Sequence, residues 1–165
     1  MSIKNIILSE EKKYLKYWPV VVIYAAVFLF SYFSVEYTGG HYMSHFMGWT
    51  LIFFGLLKLE DIDSFAQGFR KYDFLASKSG AYAKVYPALE VILGTLYLIN
   101  ILVMPITILV VVIYLSTVIG IYSKLHKGEP INCLCLGTRF TLPLSIVAVI
   151  ESGVMLTMAL WMLSM

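Results

Sequence analysis

The chain has 165 residues, 60% of them hydrophobic and 13% charged, with a formal net charge of +2 and a mean hydropathy of +0.84. Soluble domains run at about 45–50% apolar and about 25% charged, so an aqueous globule, a compact DNA-binding module and a disordered tail are excluded. Two cysteines exclude a disulfide-rich secreted scaffold but leave one thiol pair.

In chain order, residues 1–16 hold Lys4, Lys12, Lys13 and Lys16 and read as a cytosolic N-terminal segment. A charge-free run follows over 17–35. It is longer than a signal-peptide core of roughly 7–15 residues, so an uncleaved span is expected. The second apolar run, 43–59, has His45 and Lys58 near its ends. Ile62, Phe65, Ala66, Phe69 and Tyr72 then recur at helical spacing, which predicts an interfacial helix over 62–75, capped by Asp61 or Asp63. The third run, 82–102, is interrupted by Lys84 and Glu90; the fourth, 104–122, is uninterrupted; the fifth, 142–163, contains Glu151. Crossing about 30 Å of hydrocarbon takes roughly 20 helical residues, so these runs predict an all-α integral membrane protein with five spans. Short connections favour antiparallel neighbours.

Basic residues orient the chain. Lys58, Arg70, Lys71, Lys78 and Lys84 fall between or beside spans two and three, and Lys124, Lys127 and Arg139 between spans four and five. With the four N-terminal lysines these are all 12 Lys and Arg, on one side of a five-span topology. The positive-inside rule then places the N-terminus in the cytosol of a bacterial cytoplasmic membrane. Tyr14, Tyr17, Trp18, Tyr82, Tyr86 and Tyr122 fall at the inner interface, and Tyr37, Tyr42 and Trp161 at the outer one.

Cys133 and Cys135 form a C-x-C pair in the loop before the last span, with Lys124, Lys127 and Arg139 nearby to favour thiolates. A disulfide across one intervening residue is strained and easily reduced, whereas paired thiolates suit Cu(I) or Hg(II). Glu151, Met155, Met158, Met162 and Met165 share one face of span five, and Met43, Met47 and Met104 fall at the outer ends of their spans. Thioethers are weak soft ligands, and equally common packing residues. His41 and His45 are one turn apart, a spacing for a metal or for a polar interface. Glu90 and Glu151 sit at similar depth, suited to sharing a proton, to a transport role, or to hydrogen bonding with a neighbouring helix.

The stretch Phe53-Phe54-Gly55-Leu56-Leu57-Lys58-Leu59-Glu60-Asp61, followed by Phe65-Ala66 and Tyr72-Asp73, resembles the first core span of the methylamine utilisation protein MauE family. So does Tyr86-Pro87-Ala88-Leu89-Glu90 opening a span, and so does Cys133-Leu134-Cys135-Leu136-Gly137 before an acidic last helix. The resemblance covers residues 43–165 and extends, more distantly, to DoxX-like proteins. It implies a four-helix antiparallel MauE/DoxX-like bundle, to which span one is an N-terminal addition. It also implies redox-associated maturation of a periplasmic protein with a glutaredoxin- or thioredoxin-like partner. Leu134 and Leu136 replace the Gly and Phe of the common family turn and stiffen it.

Three functions follow from these residues. One is a soft-metal carrier: Cu(I) or Hg(II) enters past Met43, His45, Met47, Met155 and Met158, passes Glu90 and Glu151, and leaves on Cys133 and Cys135 to a metallochaperone-like thiol. The second is thiol–disulfide exchange at the same cysteines. The third is a non-catalytic assembly factor. No organic cofactor, nucleic-acid partner or enzyme signature is expected; the lipid bilayer is a partner, and a homo-oligomer is compatible with the pattern.

Overall fold

The computed structural model describes residues 18–126 and 144–164. Among these residues every regular element is a helix: α1 (Trp18–Thr38), α2 (Tyr42–Leu59), α3 (Ile62–Phe69), α4 (Phe74–Lys78), α5 (Gly80–Leu98), α6 (Val103–His126) and α7 (Leu144–Ser164). The apolar runs are helical because a helix satisfies its own backbone hydrogen bonds, which an apolar solvent cannot do. Two helices are long and apolar enough to cross a membrane, Val20–Thr38 and Val103–Ser123, and Val149–Ser164 is a shorter apolar helix. Cys133, Cys135, Met165 and the first sixteen residues lie outside the described residues.

Helices α2, α5, α6 and α7 close a ring: α2 packs most extensively on α5, α6 on α7, and the contacts α5–α6 and α2–α7 complete it. Helix α1 lies outside that ring against α2. Its buried side chains are few, Val20, Val27 and Ser31, while Val21, Phe28, Leu29 and Phe33 are exposed. An apolar helix with one narrow packed stripe is built for a lipid surround.

Chain reversals follow local chemistry. Gly39 (φ +71°) and Gly40 (φ +96°) end α1 in the left-handed region, and the Gly39 N–H donates to Val35 O at 2.9 Å. Asn100 (φ +53°) and Leu102 (φ +50°) carry the tight turn between α5 and α6, so the third apolar run stops being helical at Leu98. Two close approaches set the α2–α5 crossing. A Cβ on Gly94 would stand 2.6 Å from Gly48 O, and a Cβ on Gly55 would stand 3.0 Å from Pro87 O. Small residues let the backbones meet there.

The segment expected as one helix over 62–75 on the membrane surface is different in two respects. It breaks after Phe69 into a turn and a second short helix, because Asp73 caps α4 by accepting from the Ala76 N–H at 2.8 Å. Its apolar stripe also faces protein: Phe65, Ala66, Phe69 and Tyr72 are all buried. The Phe69 and Tyr86 rings pack at a tilt with centroids 4.4 Å apart, and Phe65 and Phe69 stack with centroids 5.1 Å apart. Four-helix bundles leave an open end, and α3 closes this one. Asp61, one of the two expected caps, accepts from the Ser64 N–H at 3.1 Å.

Candidate functional site

Three approaches converge where α3 seals the bundle. The helices α2 and α5 run antiparallel, and a Cβ on Gly55 would stand 3.2 Å from Glu90 Cβ, so Glu90 lies opposite Gly55, one turn from Lys58 on α2 and within reach of its long side chain. Lys58 Nζ donates to both Glu90 oxygens, at 2.8 and 2.9 Å, and to Glu151 Oε1 at 2.7 Å. The three side chains are each only 3% exposed. From α6 the Tyr114 hydroxyl donates to Glu90 Oε1 at 2.9 Å and stands 3.4 Å from Glu151 Oε1. Aromatic faces surround the ammonium: its distance to the ring centroid is 5.3 Å for Tyr86, 5.8 Å for Phe65 and 5.9 Å for Phe54. Lys58 also lies in the last turn of α2, where a cation meets the negative end of the helix. Proton sharing, a transport role and hydrogen bonding to a neighbouring helix were the alternatives for Glu90 and Glu151; in the structure the two share the Lys58 ammonium and the Tyr114 hydroxyl.

Lys58 is the residue the sequence reading placed differently, among the interfacial cations. Its signal was periodic: Ser44, Met47, Leu51, Phe54 and Lys58 are all buried at spacings of three or four, one continuous face of α2. Tyr86, expected in the inner aromatic belt, is likewise buried.

A second polar cluster lies one helical turn below. Asp73 Oδ2 accepts from Thr117 Oγ1 at 2.9 Å and from Ser116 Oγ at 3.2 Å, while Oδ1 caps α4. The turn at Tyr72–Asp73 can approach α6 because residue 120 is glycine; a Cβ there would collide with the Tyr72 carbonyl. Burial pushes the Tyr72 phenol well above its ordinary range, and the charges of Glu151, Asp73 and Glu90 push it the same way. It remains a neutral hydroxyl at any ordinary pH.

The expected metal ligands separate. His45 uses both ring nitrogens, Nε2 on Gly39 O at 2.8 Å and Nδ1 on Ser34 Oγ at 2.8 Å. Trp49 Nε1 also donates to Ser34 Oγ, at 3.1 Å. In the neutral ring Nε2–H donates and Nδ1 accepts, so His45 ties α1 to α2 and has no lone pair left for a metal. Replacing His45 by Phe is expected to cost about 1–3 kcal/mol through the orphaned partners, read as a lower thermal midpoint in detergent with Cu(I) binding unchanged. Met47 and Met155 are fully buried in the core, and Met158 packs against it. Met43 instead lines an open cleft of about 560 Å³ with His41, Met104 and Met162, at the opposite end of the bundle from α3. Among the described residues no group of three or more His, Cys, Asp or Glu is placed to hold a metal ion.

A family model described as methylamine utilisation protein MauE matches residues 40–165. The chain belongs to the MauE family. The match begins just before α2 and takes in the whole closed ring, both cysteines and every member of the lysine–dicarboxylate cluster, leaving α1 outside. Membership and the apolar helices together make this a membrane protein of the accessory type associated with methylamine utilisation. No curated protein and no solved structure matches the chain.

Proposed function

We propose that this MauE-family protein is a five-span accessory protein of a bacterial cytoplasmic membrane that handles a soft metal ion, with Cu(I) as cargo. The cleft carries this reading. Met43 at the start of α2, Met104 at the start of α6 and Met162 near the end of α7 bring three thioethers to one opening, with His41 beside them. Thioether and imidazole donors suit Cu(I), and weak ligands allow it to be passed on. Cys133 and Cys135, as thiolates, are the stronger acceptor for the same ion and the point of transfer to a metallochaperone-like thiol. Of the methionines first expected as ligands, Met43 stays in this set; Met104 and Met162 join it.

Orientation is supported by charge. Arg70, Lys71, Lys78 and Lys84 are exposed at the α3–α4 end, and no Lys or Arg lies near His41 or Trp161 in the sequence. The α3–α4 end is therefore cytosolic and the cleft external.

The test is competitive Cu(I) titration of the full chain in nanodiscs. Leucine at Met43, Met104 and Met162 together is expected to weaken binding about tenfold or more, since one lost ligand interaction of 1.4 kcal/mol is already tenfold. Serine at both cysteines is expected to abolish the tighter of two sites. An intact chain without Cu(I) affinity ends this reading.

Family membership supports a second one, since the matched region includes the C-x-C pair: exchange of its dithiol with the disulfide of a thioredoxin- or glutaredoxin-like partner. A mixed disulfide trapped by Cys135→Ser, insensitive to the methionine substitutions, identifies it. Full function with both cysteines replaced identifies an assembly factor.

A further inference from the structure

Among the described residues, the lysine–dicarboxylate cluster adjoins a small polar cavity on its α3–α4 side. A cavity of about 10 Å³ adjoins it, lined by Lys58, Glu151, Tyr72, Tyr114, Thr117 and Ser152 among others. That volume is about the size needed for one water, and the lining provides more than the two to four polar partners a buried water requires. Thr117 lines the cavity and also donates to Asp73 Oδ2 at 2.9 Å. Asp73 in turn lines a surface cleft of about 380 Å³ together with Arg70, Lys71 and Ser77. Asp73 is itself buried at the floor of that cleft, and one water in the cavity would complete a polar path from it through Thr117 to the cluster.

In the other direction the described core is mainly apolar. Met47, Leu51, Leu93, Val110, Met155 and Ala159 are buried apolar residues between the cluster and the methionine cleft. Met155 and Ala159 lie one and two helical turns beyond Glu151, a barrier about 11 Å deep. Buried hydroxyls of this layer, Tyr97 and Thr107, bond to each other at 2.9 Å and Thr107 donates to Val103 O at 2.7 Å, so among the described residues no hydrogen-bonded path for a proton joins the cluster to the cleft.

Charge arithmetic supplies the function. With all three groups ionised the cluster carries a net charge of −1; one added proton makes it neutral. Tyr86 of α5, Tyr114 of α6 and Tyr24 of α1 face it as hydroxyls, and Tyr72 and Asp73 stand on the surface side. We infer that Lys58, Glu90 and Glu151 form a proton-loading centre that exchanges one proton with the α3–α4 side alone, through Asp73, Thr117 and a single cavity water. A proton taken from bulk water by the Asp73 carboxylate passes to Thr117 Oγ1 as the threonine hydroxyl hands its own to the cavity water. That water protonates a carboxyl oxygen of Glu151 or Glu90. One O–H bond breaks and one forms at each step, no electron moves, and the return is the reverse. The centre operates with or without a metal in the cleft.

The experiment is infrared difference spectroscopy on the full chain in oriented proteoliposomes, with pH stepped on one face at a time. A carboxylic-acid C=O band, shifted by deuterium oxide, is expected to rise on acidifying the α3–α4 face and not the other. It is expected to be absent from Glu151→Gln or Glu90→Gln. Because those variants disturb the cluster itself, Asp73→Asn is the second arm: asparagine still caps α4, and the band is expected to reach full amplitude about tenfold more slowly. A wild-type chain with no pH-dependent carboxyl band, a band that responds equally from both faces, or an Asp73→Asn rise at the wild-type rate each overturns the assignment.

Discussion

Lys58→Met is expected to destabilise the protein by about 3–5 kcal/mol, the cost of removing one partner from a buried ion pair. The reason is specific to this cluster. Glu90 and Glu151 both rest on the same ammonium at 2.7–2.9 Å, so its loss leaves two carboxylates facing each other with only the Tyr114 hydroxyl between them. The checking measurement is the thermal midpoint of detergent-purified protein followed by tryptophan fluorescence. A companion variant isolates the cause. With Glu90→Gln and Glu151→Gln added, the uncompensated charge disappears, and most of the lost stability is expected to return. Equal instability of the single and triple variants would mean that lysine packing, rather than charge balance, holds the bundle end together.

At the α2–α5 crossing, one methyl group is expected to cost about 1–3 kcal/mol, the usual penalty for overpacking. The variant is Gly94→Ala, whose new Cβ would lie 2.6 Å from Gly48 O and 2.8 Å from Ile52 Cγ1. Backbone cannot rotate away as a side chain can, so the helices must separate. Separation at that crossing also draws Lys58 from Glu90, because the two sit on the same pair of helices. Gly153→Ala is the control: a Cβ there meets nothing within 4 Å, and the midpoint is expected to hold. Matching losses in the two variants would remove close packing as the explanation.

Much of the architecture was legible from residue order. Runs of apolar residues foretold the helices α1, α2, α5, α6 and α7, and the family motifs foretold the four-helix ring with α1 added. Depth was legible too: Glu90 and Glu151 lie at matching positions in their runs and meet in the structure. What escaped was direction around each helix. Lys58 reads as an interfacial cation when counted by position along the chain, yet its angular position on α2 puts it inside. The α3 stripe reads as lipid-facing for the same reason, since an amphipathic pattern says that one face seeks apolar surroundings without saying whether lipid or protein provides them.

Composition, run length and the lack of strand-like alternation committed this chain to helices in an apolar solvent, because only helices and closed barrels satisfy a buried backbone there and a barrel needs that alternation. Which side chains meet was settled by packing: glycine-sized gaps at 48, 55, 94 and 120 set how closely the elements approach. Those approaches join a lysine and two glutamates that are 32 and 93 residues apart in sequence. They also gather three methionines into one cleft while burying His45 in hydrogen bonds. Contact between side chains distant in sequence depends on interhelical distances of a few ångströms, and a one-dimensional pattern does not encode them.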